Sequence, residues 1–208
     1  PQVVGVDEAY HRLPIRGDFS LIQGEDFGMQ IEVSGSGTLD EEGQKELEFI
    51  IRPPALGITG PDFPGKSALY RLSYNDENKE FALGDQSFSL STLTEQNLAS
   101  RGISAWMAFG DFGLGAYYHS RDNYYGLALS LDYTPIDDLS VGINYLLREG
   151  PSSGGQIISL ESRIPLGSDH SLELEVAGSG TGYAFNVGAG GTLDDLGYSI
   201  FYRRGSSD

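Results

Sequence analysis

The segment from Tyr125 to Tyr133 alternates strictly between large apolar residues and small or polar ones. In an extended strand, successive side chains point to opposite faces, so Leu127, Leu129 and Leu131 share one face with the two tyrosines. The opposite face holds Gly126, Ala128, Ser130 and Asp132. A strand in a soluble core usually has a larger and more charged outer face. An aliphatic band with aromatic ends and a small polar back suits a membrane-spanning β-barrel, with lipid outside and water inside.

The same period of two recurs along the chain. Regular alternating segments lie at 103–109, 112–118, 139–148, 156–165, 171–177, 183–189 and 196–203. Less regular strands are predicted at 15–21, 29–33, 47–51, 69–74 and 81–83. Together with 125–133 these make about thirteen candidate strands, and such alternation predicts antiparallel sheet. Because single-chain bacterial barrels use even strand numbers, we expect an all-β, antiparallel up-and-down transmembrane β-barrel of about 12 strands, or part of a larger barrel.

Two classes of turn alternate in the second half of the chain. Short acidic turns are predicted at 110–111, 135–138, 166–169 and 192–195, while Gly/Ser-rich or charged loops are predicted at 120–123, 148–155 and 178–182. An up-and-down barrel places each class on its own rim. Since bacterial barrels have short periplasmic turns, we assign the acidic class to the periplasmic rim.

The chain is divided by a proline-rich stretch. Residues 1–66 are predicted as an N-terminal β segment of the same barrel, ending in a connection at 53–66 whose prolines would interrupt a central strand. Residues 67–208 are predicted as a β-meander barrel region. Residues 85–100 are rich in Ser, Thr and Gln, and two interpretations stay open: a lid, plug or constriction, or a surface loop or irregular strand.

Composition restricts the partners. The formal net charge of −17 leaves no basic stripe for phosphates, which argues against a nucleic-acid partner. It fits a cation-attracting lumen, acidic loops that bind divalent cations near anionic lipid, or an acidic surface that maintains solubility. The chain has no cysteine, and its acidic clusters lack the spacing of a calcium loop, so we predict neither a metal site nor a cofactor.

No motif favours catalysis. His119 and Ser120 are adjacent on a predicted strand and therefore point to opposite faces, which prevents a nucleophile–base pair. We interpret His119 as a rim histidine bonded to water. The glycine-rich segment 178–182 joins two strands, and no helix follows it to hold a phosphate. The sequence therefore predicts a protein that is not an enzyme.

The alternation assigns two sets of residues. The predicted lumen-facing set is polar, and each of its charges needs water or a partner; it comprises Asp132, Asn144, Arg148, Glu161, Arg163, Glu173, Glu175, Asn186 and Arg203. The predicted lipid-facing set, with its aromatic girdle, comprises Tyr125, Leu127, Leu129, Leu131, Tyr133, Tyr145, Tyr198 and Tyr202.

These patterns resemble Gram-negative outer-membrane β-barrel proteins over residues 67–204. The segments Tyr70-Arg-Leu-Ser-Tyr74 and 83–91 are also weakly similar to barrel segments of fimbrial ushers and related secretion channels. The chain is far shorter than an usher barrel and ends in Gly205-Ser-Ser-Asp208 instead of a terminal aromatic residue. The resemblance implies a bacterial outer-membrane location and a lipid or lipopolysaccharide surround.

Three functions are compatible with this sequence. The first is a pore or translocation channel whose acidic lumen favours cations. The second is a structural or assembly barrel that contacts other envelope proteins through residues 1–66 or the 85–100 segment. The third is a water-soluble β-sandwich adhesin module. We expect the first.

Overall fold

A computed structural model describes residues 13–23, 27–55, 67–136, 139–151, 154–193 and 196–207. Thirteen strands follow one another in a single sheet in chain order. They are β1 (Ile15–Gln23), β2 (Phe27–Thr38), β3 (Glu46–Arg52), β4 (Leu69–Asp76), β5 (Lys79–Phe88), β6 (Leu98–Phe109), β7 (Phe112–Arg121), β8 (Tyr124–Ile136), β9 (Leu139–Glu149), β10 (Gly155–Pro165), β11 (His170–Ser179), β12 (Gly182–Leu193) and β13 (Leu196–Ser207).

The predicted fold class is confirmed: the strands are antiparallel and connected up and down. All thirteen candidate segments are strands, one more than the even number that we expected from bacterial barrels. In the described part of the chain, no helix is long and apolar enough to cross a membrane.

Contacts within the chain divide it into two units, residues 1–86 and residues 87–208. In the first unit, β1 to β5 pair in sequence, each antiparallel to the next. The pairing of β4 with β5 extends to Gly84, which faces Arg71 and has a φ of 103°. A side chain there would meet the Tyr70 carbonyl oxygen, so only glycine fits. The next residue, Asp85, accepts the Tyr70 amide through its carboxylate at 2.8 Å.

In the second unit, β6 to β13 form a continuous meander. The turn between β7 and β8 consists of Asp122 and Asn123, which have φ values of 50° and 71°. Two positive φ angles are those of a type I′ turn, whose twist matches that of a hairpin and which favours Asp and Asn. The residue types at positions 122 and 123 are therefore those that favour this two-residue hairpin turn.

Burial alternates along β6 to β9 as the sequence predicts. On β8, Leu127, Leu129 and Leu131 are exposed, whereas Ala128 between them is fully buried. Residues 89–97, which connect β5 to β6, lie against the face that carries Ala128. We call residues 89–97 the inner loop and the face that they contact the inner face; the opposite face is the outer face.

A small apolar core lies beneath the inner loop. Phe88, Tyr117, Ala128 and Leu146 are buried together, and Leu90 of the inner loop packs against them with Ile157. Leu146 and Ala128 have no exposed surface. Burial of this apolar surface favours a loop that is folded onto the sheet over one that extends away from it.

Some predictions fall on residues outside the described ranges. These are part of the proline-rich connection, residues 56–66, and the acidic pairs at 137–138 and 194–195. Of the predicted acidic turns, those at 110–111 and 166–169 are described, and they connect β6 to β7 and β10 to β11.

Candidate functional site

The inner loop has its own hydrogen bonds before it meets the sheet. The Leu90 amide donates to the Glu95 carbonyl at 2.9 Å, and the Thr94 amide donates to the Ser91 carbonyl at 3.3 Å. The Ser91 amide donates to the Thr94 hydroxyl at 3.0 Å. These bonds fold the loop into a hairpin-like turn whose tip is formed by residues 91–94. The 85–100 stretch is therefore neither a strand throughout nor a loop directed away from the sheet.

Glu95 attaches one end of the inner loop to the sheet. Its Oε1 accepts from Arg148 Nε at 3.1 Å and Nη2 at 2.8 Å. Its Oε2 accepts from the Tyr117 hydroxyl at 2.6 Å and lies 3.1 Å from His119 Nε2. The Glu95 side chain is only 2% exposed, whereas that of Arg148 is 44% exposed. A buried carboxylate is stable here because a cation and other donors surround it.

The interpretation of His119 as a water-bonded rim residue is wrong. His119 is buried, with its ring near Phe88 and Tyr117 at centroid distances of 5.2 and 5.9 Å. Its Nδ1 is buried and has no hydrogen-bond partner among the described residues. The Ser120 carbonyl accepts from Ser100, and alternation places the Ser120 side chain on the outer face. The two residues therefore do not form a catalytic pair.

Glu175 of β11 attaches the tip of the inner loop. Its carboxylate accepts from the Ser91 hydroxyl at 2.5 Å and from the Leu93 amide at 3.0 and 3.2 Å. The Ser91 hydroxyl also lies 3.4 Å from that of Ser159 on β10. The loop is thus attached through its own Glu95 carboxylate, through a carboxylate of the sheet, and through the Thr94 carbonyl, which accepts from Arg148 Nη2 at 3.1 Å.

Three carboxylates lie in one cross-strand row on the inner face. Asp132 is opposite Gly142, Gly142 is opposite Glu161, and Glu161 is opposite Glu175. We call Asp132, Glu161 and Glu175 the acidic row. A Cβ on Gly142 would lie 2.8 Å from Asp132 Oδ1 and 3.0 Å from Glu161 Oε1, so the absent side chain leaves space for both carboxylates.

Few nearby groups compensate the negative charges of the acidic row. Glu161 accepts from Asn144 Nδ2 at 2.9 Å. Among the described residues, no Lys, Arg or His forms an ion pair with any of the three carboxylates. Negative charges held in this way attract mobile cations from solution.

The register places every predicted site residue on a face of the sheet. All members of the predicted lumen-facing set lie on the inner face: the row continues from Glu175 to Asn186 and Arg203, and Arg163 lies opposite Glu173. Asn144 is almost fully buried between Ser159 and Glu161. All members of the predicted lipid-facing set lie on the outer face.

The register does not bring all of the polar set together. Arg148 contacts the inner loop, whereas Arg163 and Glu173 lie one row beyond the acidic row, on the side away from Arg148. Tyr125, of the other set, pairs with the Glu149 carboxylate at the edge of the outer face. Tyr198 contacts His170 through its hydroxyl, at 3.2 Å from Nδ1.

Sequence reasoning missed the residues that hold the inner loop. Glu95 was hidden in an irregular stretch without periodicity, and Tyr117 was not singled out from its neighbours. On β9, Leu146 lies on the inner face between the polar residues Asn144 and Arg148 and is fully buried. That exception to the alternation within β9 is a signal in the sequence that something apolar covers this part of the face.

Comparison with solved structures shows the same fold in bacterial barrels. OprD of Pseudomonas aeruginosa aligns with 94% of the chain at a TM-score of 0.56 and 14% identity. A double variant of OccD1 (OprD) aligns with 94% of the chain at a TM-score of 0.55 and 14% identity. OccK11 (OpdR) of Pseudomonas aeruginosa aligns with 93% at a TM-score of 0.53 and 13% identity.

The chain therefore has the fold of outer-membrane β-barrel proteins, as the sequence predicts. It spans only 57% to 61% of the length of these three proteins. No protein-family model matches the sequence. No curated protein matches it either. The weak usher-like resemblance stays a prediction.

Proposed function

We propose that this chain forms the wall of a pore in the bacterial outer membrane, with the inner face toward water and the outer face toward lipid. The fold shared with OprD supports a barrel wall at a coarse level. The observation that carries the pore itself is the charged part of the inner face, which lies beside the small apolar core under the inner loop. A wall that carries Asp132 and Glu161 requires water beside it, because unsolvated charges would be very costly.

We further propose that the pore favours cations. The acidic row presents three carboxylates without a paired cation in the described part of the chain, whereas in the next row Glu173 lies opposite Arg163. A narrow water-filled passage lined by one sign of charge concentrates ions of the opposite sign. The inner loop narrows the passage at the level of these carboxylates, so each permeating ion passes close to them.

The first test of this function is electrical. Purified full-length protein reconstituted in a planar bilayer should conduct ions, and a KCl gradient should give a reversal potential of the sign for cation permeation. The double variant Asp132→Asn/Glu161→Gln should reduce the cation-to-anion permeability ratio several-fold while conductance persists. Both carboxylates keep their shape in these variants, so the change reports charge alone.

Glu149→Gln is the matched control. It removes one negative charge from the second unit, as each substitution of the double variant does, but Glu149 lies at the edge of the outer face beside Tyr125. Its permeability ratio should equal that of the unaltered protein. Folded protein that passes no current would overturn the pore, and equal effects of the inner-face and outer-face variants would overturn the selectivity proposal.

The outer face has a proposed partner as well. Membrane lipid or lipopolysaccharide would cover the outer face, with Tyr125, Tyr145 and Tyr198 near its edges. The inner-face chemistry is that of a passage for solutes, and we propose no enzymatic activity.

A further inference from the structure

We infer that Glu175 is a releasable catch that positions the tip of the inner loop, while Glu95 remains the fixed attachment. This inference rests on the proposed pore, since it concerns the part of the loop that would narrow it. The two attachments differ in chemistry, and that difference determines which end of the loop detaches first.

The Glu95 attachment has a countercharge. The Arg148 guanidinium donates twice to Oε1, and Tyr117 and His119 approach Oε2. Hydrogen bonds with one ionised partner are about twice as strong as neutral ones, and at Glu95 the Arg148 donor is ionised as well, which adds the attraction of opposite charges. Phe88 and Leu90 add apolar burial at the same end of the loop. Detaching Glu95 would therefore strand a buried carboxylate and expose apolar surface.

The Glu175 attachment has no such countercharge. Its donors are one hydroxyl and one backbone amide, from Ser91 and Leu93. No ion pair to Glu175 exists among the described residues. Glu161 is directly opposite it on β10, and Glu173 is two positions away on the same face. Like charges at these positions favour a Glu175 carboxylate that turns toward water over one that stays capped.

Space for the released tip exists beside it. A cleft of about 420 Å³ is lined by Leu93 of the tip, Ile157 of β10, Ala177 of β11 and Ala184 of β12. Its walls are uncharged, so movement of Leu93 within this space meets small or apolar side chains. Release of Glu175 would let residues 91–93 shift along the wall, while Arg148 still holds Glu95 and the Thr94 carbonyl in place.

The experiment uses substitutions that separate the hydrogen bonds from the charge. Glu175→Ala removes the acceptor, and Ser91→Ala removes one donor. Glu175→Gln keeps an acceptor oxygen but removes repulsion from Glu161. In single-channel recordings of the full-length protein, Glu175→Ala should raise the occupancy of a second conductance level about tenfold or more, given the strength of hydrogen bonds to charged groups. Ser91→Ala should raise this occupancy less, and in Glu175→Gln the occupancy should stay near that of the unaltered protein.

Asp132→Asn is the control in the same row. It removes one charge on β8, three strands away from Glu175, so it should alter ion selectivity but not the fluctuations. The chain has no cysteine, which permits Leu93→Cys with Ala177→Cys and a flexible bis-maleimide linker across the cleft. Linking these positions in the Glu175→Ala background should suppress the second conductance level.

A spin label on Thr92→Cys reports tip mobility without any current. The label should become more mobile in Glu175→Ala and stay unchanged in Asp132→Asn. Unchanged label mobility in Glu175→Ala, or fluctuations that persist after cross-linking, would contradict the proposal that Glu175 holds the tip. Absence of current in every variant would instead overturn the proposed pore, and the label mobility would still decide whether Glu175 holds the tip.

Discussion

Glu95 and Arg148 are separated by 53 residues of chain and meet above the inner face, where the guanidinium donates to Glu95 Oε1 from both Nε and Nη2. Glu95 is buried, whereas Arg148 keeps nearly half of its surface in contact with solvent. The pair therefore satisfies a buried carboxylate with a cation that is itself still hydrated. This asymmetry predicts unequal effects when either partner is removed.

Arg148→Met should be more harmful than Glu95→Gln. Removing the cation leaves Glu95 buried beside a neutral side chain, at a cost of up to about 3–5 kcal/mol. Removing the carboxylate charge leaves Arg148 able to turn to water, at a cost of about 1–2 kcal/mol. The double variant should recover part of the Arg148→Met loss. Chemical unfolding of the protein in detergent micelles would measure all three, and strictly additive losses would contradict coupling between the residues.

Leu146→Ala should weaken the packing of the inner loop against the sheet. Leu146 has no exposed surface and packs with Phe88, Tyr117 and Ala128 beneath the loop. Truncation of a buried leucine typically costs about 2–5 kcal/mol, and we expect faster protease cleavage within residues 89–97. The neighbouring Leu147 points to the outer face, so Leu147→Ala is a matched control and should not accelerate that cleavage. Equal cleavage of the two variants would show that the core does not support the loop.

Gly126→Ala should displace His119 from Glu95. A Cβ at position 126 would lie 2.3 Å from His119 Nε2, closer than any real contact. Forcing extra volume into a packed site costs about 1–3 kcal/mol. The histidine ring must move, and its NMR signals should shift.

Gly155→Ala is the control for this substitution. Gly155 lies opposite Arg148 in the same cross-strand row as Gly126, and a Cβ there would meet open space. Unfolding free energy and the His119 signals should remain unchanged in Gly155→Ala. If Gly126→Ala also left the unfolding free energy and the His119 signals unchanged, the close approach of His119 to position 126 would not be required.

The strands of the second unit could be predicted because their structure is set locally. Alternation of side chains is a property of each segment. Leu127 and Leu129 indicate an apolar outer face, and Ala128 between them indicates a different inner face. The hairpin register then follows from short turns such as Asp122-Asn123. In the first unit, irregular alternation made the predicted strands shorter than the observed ones, as for β2, predicted at 29–33 and found at Phe27–Thr38.

The inner loop could not be placed from the sequence. Residues 89–97 have no periodicity, and their contacts reach 84 residues along the chain in the case of Ser91 and Glu175. Such contacts depend on which face of the finished sheet the loop covers. The acidic row illustrates the same limit: Asp132, Glu161 and Glu175 were each assigned to the polar face, but the register of three strand pairs was needed to align them.

Ion selectivity should weaken as salt rises. The proposed selectivity depends on the field of the acidic row, and the Debye length falls from about 10 Å at 0.1 M to about 3 Å at 1 M ionic strength. Carboxylates that face a water-filled passage are screened over that range, so the cation-to-anion permeability ratio should decline toward that of Asp132→Asn/Glu161→Gln. Reversal potentials at a fixed KCl ratio and increasing absolute concentration would measure the decline. Selectivity that stays constant up to 1 M, or that declines equally in the double variant, would mean that groups other than the acidic row select the ion.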